Sequence, residues 1–139
     1  MKIYFAGSIR GGRNDSEKYF KIINHLKKHG DVLTEHIGSK NINELGEQHL
    51  SSEEIYNRDL NWLEEADIVI GEVSVPSLGV GYEIAKAEKL EKKILCIVQK
   101  LEEGKEISAM IGGNKKILLK EYSDLAELFK IIDDFLINL

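Results

Sequence analysis

Two short runs, DIVIGEV (Asp67–Val73) and KILCIV (Lys93–Val98), are apolar almost without a break. A strand with one wet face alternates apolar and polar residues, so a strand that is apolar on both sides must be covered on both faces. KIYFAGSI (Lys2–Ile9) has the same character, and DVLTEH (Asp31–His36) and KILLKEY (Lys116–Tyr122) complete a set of five strands. Helical patterns separate them. In NDSEKYFKIINHLKKHG, residues Tyr19, Phe20, Ile22, Ile23 and Leu26 form an apolar stripe, with Asn14, Asp15 or Ser16 available as cap and Gly30 as stop. SSEEIYNRDLNWLEEAD opens on Ser-x-x-Glu, a capping box, and carries Ile55, Leu60, Leu63 and Ala66 as its core stripe. A third helix is expected to start near Leu78 to Val80, and SDLAELFKIIDDFLINL closes the chain.

Strands alternating with helices specify an α/β fold with a parallel sheet buried between two helical layers. The expectation is one domain over residues 1–139, a doubly wound, flavodoxin-like three-layer sandwich with strand order 2-1-3-4-5. In that order the chain reverses direction between strands one and three, and ligands bind at the carboxyl ends of the strands there. The two loops at that point are GSIRGGR (Gly7–Arg13) and EVSVPSLGVGYE (Glu72–Glu83).

Charge and cysteine content narrow the function. The net charge is −5, with Lys and Arg interleaved among Asp and Glu, which excludes the basic face of a polymeric nucleic-acid binder. No apolar run has the length of a membrane span, and the N-terminal one is too short for a signal-peptide core, so a cytoplasmic protein is expected. The lone Cys96 sits among apolar residues and reads as a buried, inert thiol. His25, His29, His36 and His49 show no metal-ligand spacing with Cys or acidic partners; His25 and His29 are expected to be solvated near a helix end, and no metal or cofactor is expected. The polar stretch Ile37–Leu50 is a long loop of the kind that walls a binding site.

GSIRGGR has three glycines, a serine and two arginines ahead of a helix start. Glycines let backbone N–H groups approach a ligand, the helix end favours an anion, and Arg10 and Arg13 have the fork geometry for a phosphate. Neither the P-loop nor the dinucleotide fingerprint is present, so the loop suits one phosphate of a small molecule; its other reading is a plain strand–helix turn. In the second loop Glu83 is expected in the first helical turn, where a carboxylate either complements the helix end or acts as a reagent. Asp59 lies at the edge of the apolar stripe of the preceding helix, where a charge needs a partner or a task. Two carboxylates facing one cleft suit glycosyl chemistry. Tyr4 alternates onto the same strand face as Ala6, and a buried hydroxyl there needs a hydrogen-bond partner.

YFAGSIRGGR, LTEH, RDLNWLEEAD, PSLGVGYE, KILC and SAMI occur in this order. Together, over Lys2 to Gly112, they resemble the 2′-deoxynucleoside 5′-monophosphate N-glycosidases of the nucleoside 2-deoxyribosyltransferase superfamily. The resemblance implies that Glu83 is the nucleophile toward C1′ of deoxyribose, that Asp59 protonates or positions the leaving base and guides the later water, and that Tyr4 holds Glu83 by a hydrogen bond. It implies a 5′-phosphate held by Gly7, Ser8, Ile9, Arg10 and Gly11, with Ser77 and Gly79 close to the ligand. It also implies that Ser108 reaches the phosphate of a neighbouring subunit, hence a homodimer with shared active sites. His36, expected at the end of the second strand, is a candidate contact to the base. The alternatives are a transferase exchanging bases between deoxynucleosides and a nucleotide sensor without turnover; a receiver domain is disfavoured because Arg10 stands where its acidic cluster would be.

Overall fold

The computed structural model describes residues 1–9, 16–38, 47 and 49–139. In chain order the elements are β1 (Lys2–Ala6), α1 (Ser16–Leu26), β2 (Asp31–Val32), a 3-10 turn (Glu35–Gly38), α2 (Ser52–Glu65), β3 (Ile68–Glu72), α3 (Leu78–Lys89), β4 (Lys93–Gln99), α4 (Ala109–Gly112), β5 (Ile117–Tyr122) and α5 (Leu125–Ile137). The five strands are all parallel in the order β2-β1-β3-β4-β5, as the sequence led us to expect.

The central strands are inaccessible because both faces are packed. Ile3 and Phe5 join Ile70, Leu95 and Ile97 under α1 and α5, while Tyr4 and Ala6 join Val69 and Cys96 under α2 and α3. This is the period-2 alternation of a strand feeding two cores at once. The capping box of α2 forms in both directions: the Glu54 N–H donates to Ser51 Oγ at 3.2 Å, and the Ser51 N–H donates to Glu54 Oε2 at 2.7 Å. Close approach dictates Gly30 and crowds Gly7. A Cβ at Gly7 would stand 3.1 Å from the Tyr19 ring, and one at Gly30 would stand 2.2 Å from the Met1 carbonyl oxygen, where the chain turns from α1 into β2.

Four local expectations are corrected. The second strand does not run to His36. It ends at Val32, and Thr34 closes the edge of β1 with its side chain, accepting from the Phe5 N–H at 2.9 Å and donating to the Phe5 carbonyl at 2.7 Å. With those backbone groups satisfied, the chain is released into the 3-10 turn that carries His36. Phe20 leaves the stripe of α1, being 48% exposed, because one residue is a 100° step away from the Tyr19, Ile22, Ile23 and Leu26 line. His25 and His29 are not solvated spectators: both Nε2 atoms converge on Asp133 Oδ1 of α5, at 2.7 and 3.0 Å, and His25 stacks on Phe129 with ring centroids 4.3 Å apart. Glu83 is the sixth residue of α3, in its second turn rather than its first, which moves it away from the helix end.

Candidate active site

Tyr4 projects from the middle of β1 toward α3 and is 1% exposed. Its hydroxyl donates to Glu83 Oε1 at 2.6 Å. Burial pushes the Glu83 carboxyl up to about 7; the Tyr4 hydrogen bond opposes the rise and the nearby charge of Asp59 adds to it. The helix end is too distant from the second turn to hold this carboxyl down, since that influence fades within the first turn. The Tyr4 phenol is itself pushed far up, by burial first and then by the Glu83 charge, so it remains a donor throughout the physiological range. Cys96 lies in the same core with its thiol raised by burial to about 12, the inert thiol expected.

Asp59 projects from α2, half-buried. Burial raises its pKa, and the adjacent Arg58 guanidinium opposes that rise. Arg58 Nε donates to Asp59 Oδ1 at 2.9 Å, while its NH1 and NH2 donate to Glu47 Oε1 and Oε2 at 2.8 and 2.7 Å. The guanidinium carbon lies 4.6 Å from the centre of the Trp62 ring, one helical turn on. His36 completes the wall, 5.4 Å from Trp62 between ring centroids and 3.3 Å from the Arg58 NH2 through its Nε2. Burial lowers the His36 pKa. The imidazole is therefore neutral near pH 7, leaving Nε2 free to accept from Arg58. On the outer side, the Tyr56 and Tyr82 hydroxyls lie 3.3 Å apart and bridge α2 to α3.

Of the residues singled out in the sequence, Tyr4, Asp59, Glu83 and His36 come together. Gly7, Ser8 and Ile9 follow β1 as expected, Ser8 fully buried. Arg10 and Gly11, with Arg13, lie outside the described residues. Ser77 caps α3, accepting from the Val80 N–H at 3.4 Å, and Gly79 lies just beyond it. Ser77 and Ser108 face a separate cleft of about 670 Å³, walled by Val80, Ile84, Ile107 and Met110, that none of Tyr4, Asp59 and Glu83 lines.

Four residues of these networks were not legible as such in the sequence. Arg58 and Trp62 were visible only as neighbours of Asp59, although their mutual spacing of four on a helix places the two close enough to touch. Glu47 sits in a stretch with no motif. Glu72, at the end of β3, is fully buried and accepts from Tyr122 at 2.9 Å, Lys18 at 3.3 Å and the Ser74 hydroxyl through one oxygen; it was hidden inside an apolar strand.

The chain matches the family model for nucleoside 2-deoxyribosyltransferase over residues 3–116. It is 39% identical to the 5-hydroxymethyl-dUMP N-hydrolase of Tetraodon nigroviridis, over 99% of each chain. It is 47% identical to the protein of the same name from Rattus norvegicus, over 80% of this chain and 68% of that one. Among solved structures, a CMP N-glycosidase of Clostridium botulinum superposes with a TM-score of 0.69 at 19% identity, covering 97% of this chain and 99% of that one, a likeness of fold. The matched span runs from the strand that supplies Tyr4, through the helices that supply Asp59 and Glu83, to the segment after β4, and this chain belongs to the nucleoside 2-deoxyribosyltransferase family.

Proposed function

We propose that this chain hydrolyses the N-glycosidic bond of 2′-deoxynucleoside 5′-monophosphates, giving the free base and 2-deoxyribose 5-phosphate. The observation that carries the reading is the 2.6 Å hydrogen bond from a buried Tyr4 to Glu83, with Asp59 beside the pair. In the ionised state, Glu83 attacks C1′ as the C1′–N bond breaks. The electron pair of that bond leaves with the base, which Asp59 protonates or positions. Water then cleaves the glutamyl–deoxyribosyl ester, with Asp59 guiding it, and restores the free carboxyl. Gly7, Ser8, Ile9, Arg10 and Gly11 are the proposed 5′-phosphate cradle. His36, neutral and beside Trp62, is the proposed contact to the base.

Deoxyribose is favoured because a 2′-hydroxyl would withdraw electrons from the developing oxocarbenium ion and would need a partner next to Glu83. The relatives named for 5-hydroxymethyl-dUMP make that nucleotide the first to test. The proposal includes a cytoplasmic homodimer. Ser77 and Ser108 open onto a cleft apart from the carboxylates, beside Leu78 and Met110, which are 97% and 82% exposed. Those apolar side chains suit a second copy of the chain, which would bring Ser108 to the phosphate of its neighbour's site.

Chromatography of base released from deoxynucleoside monophosphates, ribonucleotides and unphosphorylated deoxynucleosides tests the reading, with Glu83→Gln as control. Release from the deoxynucleotides alone is expected. Equal turnover of ribonucleotides would overturn the sugar preference, and unchanged turnover by Glu83→Gln would remove the nucleophile. Base exchange without a 5′-phosphate would point to the transferase, and binding without release to a sensor.

A further inference from the structure

We propose that Arg58 is a positioning residue for Asp59, holding its Oδ1 oxygen and tying that carboxylate to Glu47, so that Glu47 and Arg58 together set how Asp59 meets the leaving base. The inference rests on the role given to Asp59 above and adds two residues to it. The geometry is specific. Arg58 spends its Nε–H on Asp59 and its two terminal nitrogens on both oxygens of Glu47, a fork-to-fork pairing, while its guanidinium carbon lies over the Trp62 ring. The NH2 group also stands 2.8 Å from Asp59 Oδ1, so one oxygen of Asp59 is doubly engaged. Among the described residues Asp59 Oδ2 receives no such donor, which leaves it as the oxygen available to a base or a water. The bidentate pairing with Glu47 orients the guanidinium, and the guanidinium in turn orients the carboxylate of Asp59.

The charges facing Asp59 come from every side of the cluster: Arg58 on its own helix, His36 on the 3-10 turn, Glu47, Tyr4 on β1 and Glu83 on α3. Arg58 and Glu47 act on Asp59 with opposite signs. Arg58 favours the ionised form; Glu47 disfavours it directly and also draws Arg58 toward itself. Removing Arg58 must therefore raise the Asp59 pKa, and neutralising Glu47 must lower it. Charge proximity sets these signs, and the positioning is read from Arg58→Lys, which keeps the charge and loses the fork.

The test is a carbon-detected NMR titration of the Asp59 carboxyl in the whole protein, in wild type, Arg58→Gln, Arg58→Lys and Glu47→Gln, with Asp59→Asn for assignment. The expected result is an upward shift in Arg58→Gln, a downward shift in Glu47→Gln, and an intermediate value in Arg58→Lys, which keeps the charge and loses the fork. Shifts of the same sign in Arg58→Gln and Glu47→Gln, or none in either, would overturn the proposal. This readout needs no turnover, so it stands whether or not base release is found. Where release is found, the limb of the kcat/KM pH profile abolished in Asp59→Asn moves with the same two signs, while KM changes less than kcat. Unfolding of Arg58→Gln, seen as lost amide dispersion, leaves Arg58→Lys and Glu47→Gln to give the answer.

Discussion

Tyr4→Phe removes one oxygen, and its consequence follows from the Tyr4–Glu83 geometry. The hydroxyl donates to Glu83 Oε1 at 2.6 Å, and a hydrogen bond to a charged group contributes about 1.5–3 kcal/mol. Because Glu83 is half-buried and water can partly replace the phenol, we take the lower end, about 1.5 kcal/mol, which is about one pKa unit. The Glu83 carboxyl, already raised to about 7, then titrates about one unit higher. At pH 7 its ionised fraction falls from about one half to about one tenth, and at pH 9 the two proteins are ionised almost equally. The ratio of wild-type to Tyr4→Phe kcat/KM for base release is therefore expected to be about fivefold at pH 7 and to approach a constant near pH 9. Any loss of carboxylate orientation adds a factor independent of pH, which the limiting ratio measures. The ratio is insensitive to whether Asp59 must be protonated, since Asp59 is common to both proteins. A ratio that stays flat from pH 6 to pH 9 would refute the idea that Tyr4 acts by holding Glu83 ionised.

Three further outcomes are expected. A carboxyl whose folded pKa lies above its unfolded value binds more protons when folded, so its ionisation costs stability, and the cost grows as pH rises from about 4.5 through about 7. Glu83→Gln should accordingly raise Tm relative to wild type at pH 8 and leave it nearly unchanged at pH 4.5; a destabilised variant at pH 8 would show the carboxylate to be favourably held. Glu83→Gln and Ser108→Ala subunits, each with little activity alone, should regain about a quarter of wild-type activity when unfolded together and refolded, because half the dimers are mixed and each mixed dimer has one intact site. No recovery would place Ser108 in its own subunit's site or outside the chemistry. Thr34→Val should cost about 1–3 kcal/mol in urea unfolding, since it leaves the buried Phe5 N–H and C=O without their partner; a loss below about 0.5 kcal/mol would mean that water replaces the hydroxyl.

The strand order was readable because its signals are local and strong: apolar runs at Lys2–Ala6, Ile68–Glu72 and Lys93–Gln99 separated by helical stripes leave few other arrangements. The capping box at Ser51 and the start of α3 at Leu78 were legible for the same reason. What periodicity does not carry is side-chain closure across the chain. Thr34 ends β2 by bonding to Phe5, 29 residues away, and nothing in DVLTEH signals that. Asp133 meets His25 across 108 residues, which is why the histidine pair looked solvated. Tyr4 and Glu83, 79 residues apart, were each ambiguous alone, and the resemblance of ordered motifs connected them before the fold did. Arg58 and Glu47 stayed invisible because a salt bridge to a motif-free stretch has no signature along the chain.

The two carboxylates of the site are raised by the same cause and moderated by different partners. Glu83 has a neutral phenol against it and remains near 7; Asp59 has a guanidinium against it. Arg58 thus opposes the effect of burial at Asp59, as the Tyr4 hydroxyl does at Glu83. The proposed attack on C1′ needs Glu83 ionised, and the developing positive charge of the sugar favours that form, since an oxocarbenium ion attracts the adjacent carboxylate. In the proposed mechanism an ionised Asp59 with Oδ1 held by Arg58 suits the second half of the reaction, where Oδ2, which receives no such donor among the described residues, would take a proton from the water that cleaves the ester. The geometry thus weights the two roles open to Asp59 toward positioning and general-base work. Asp59→Asn separates them: it should slow breakdown of the glutamyl ester more than its formation, so that rapid-quench kinetics shows a burst of released base followed by a slow steady state. A variant with no burst and uniformly slow first turnover would return Asp59 to the role of proton donor.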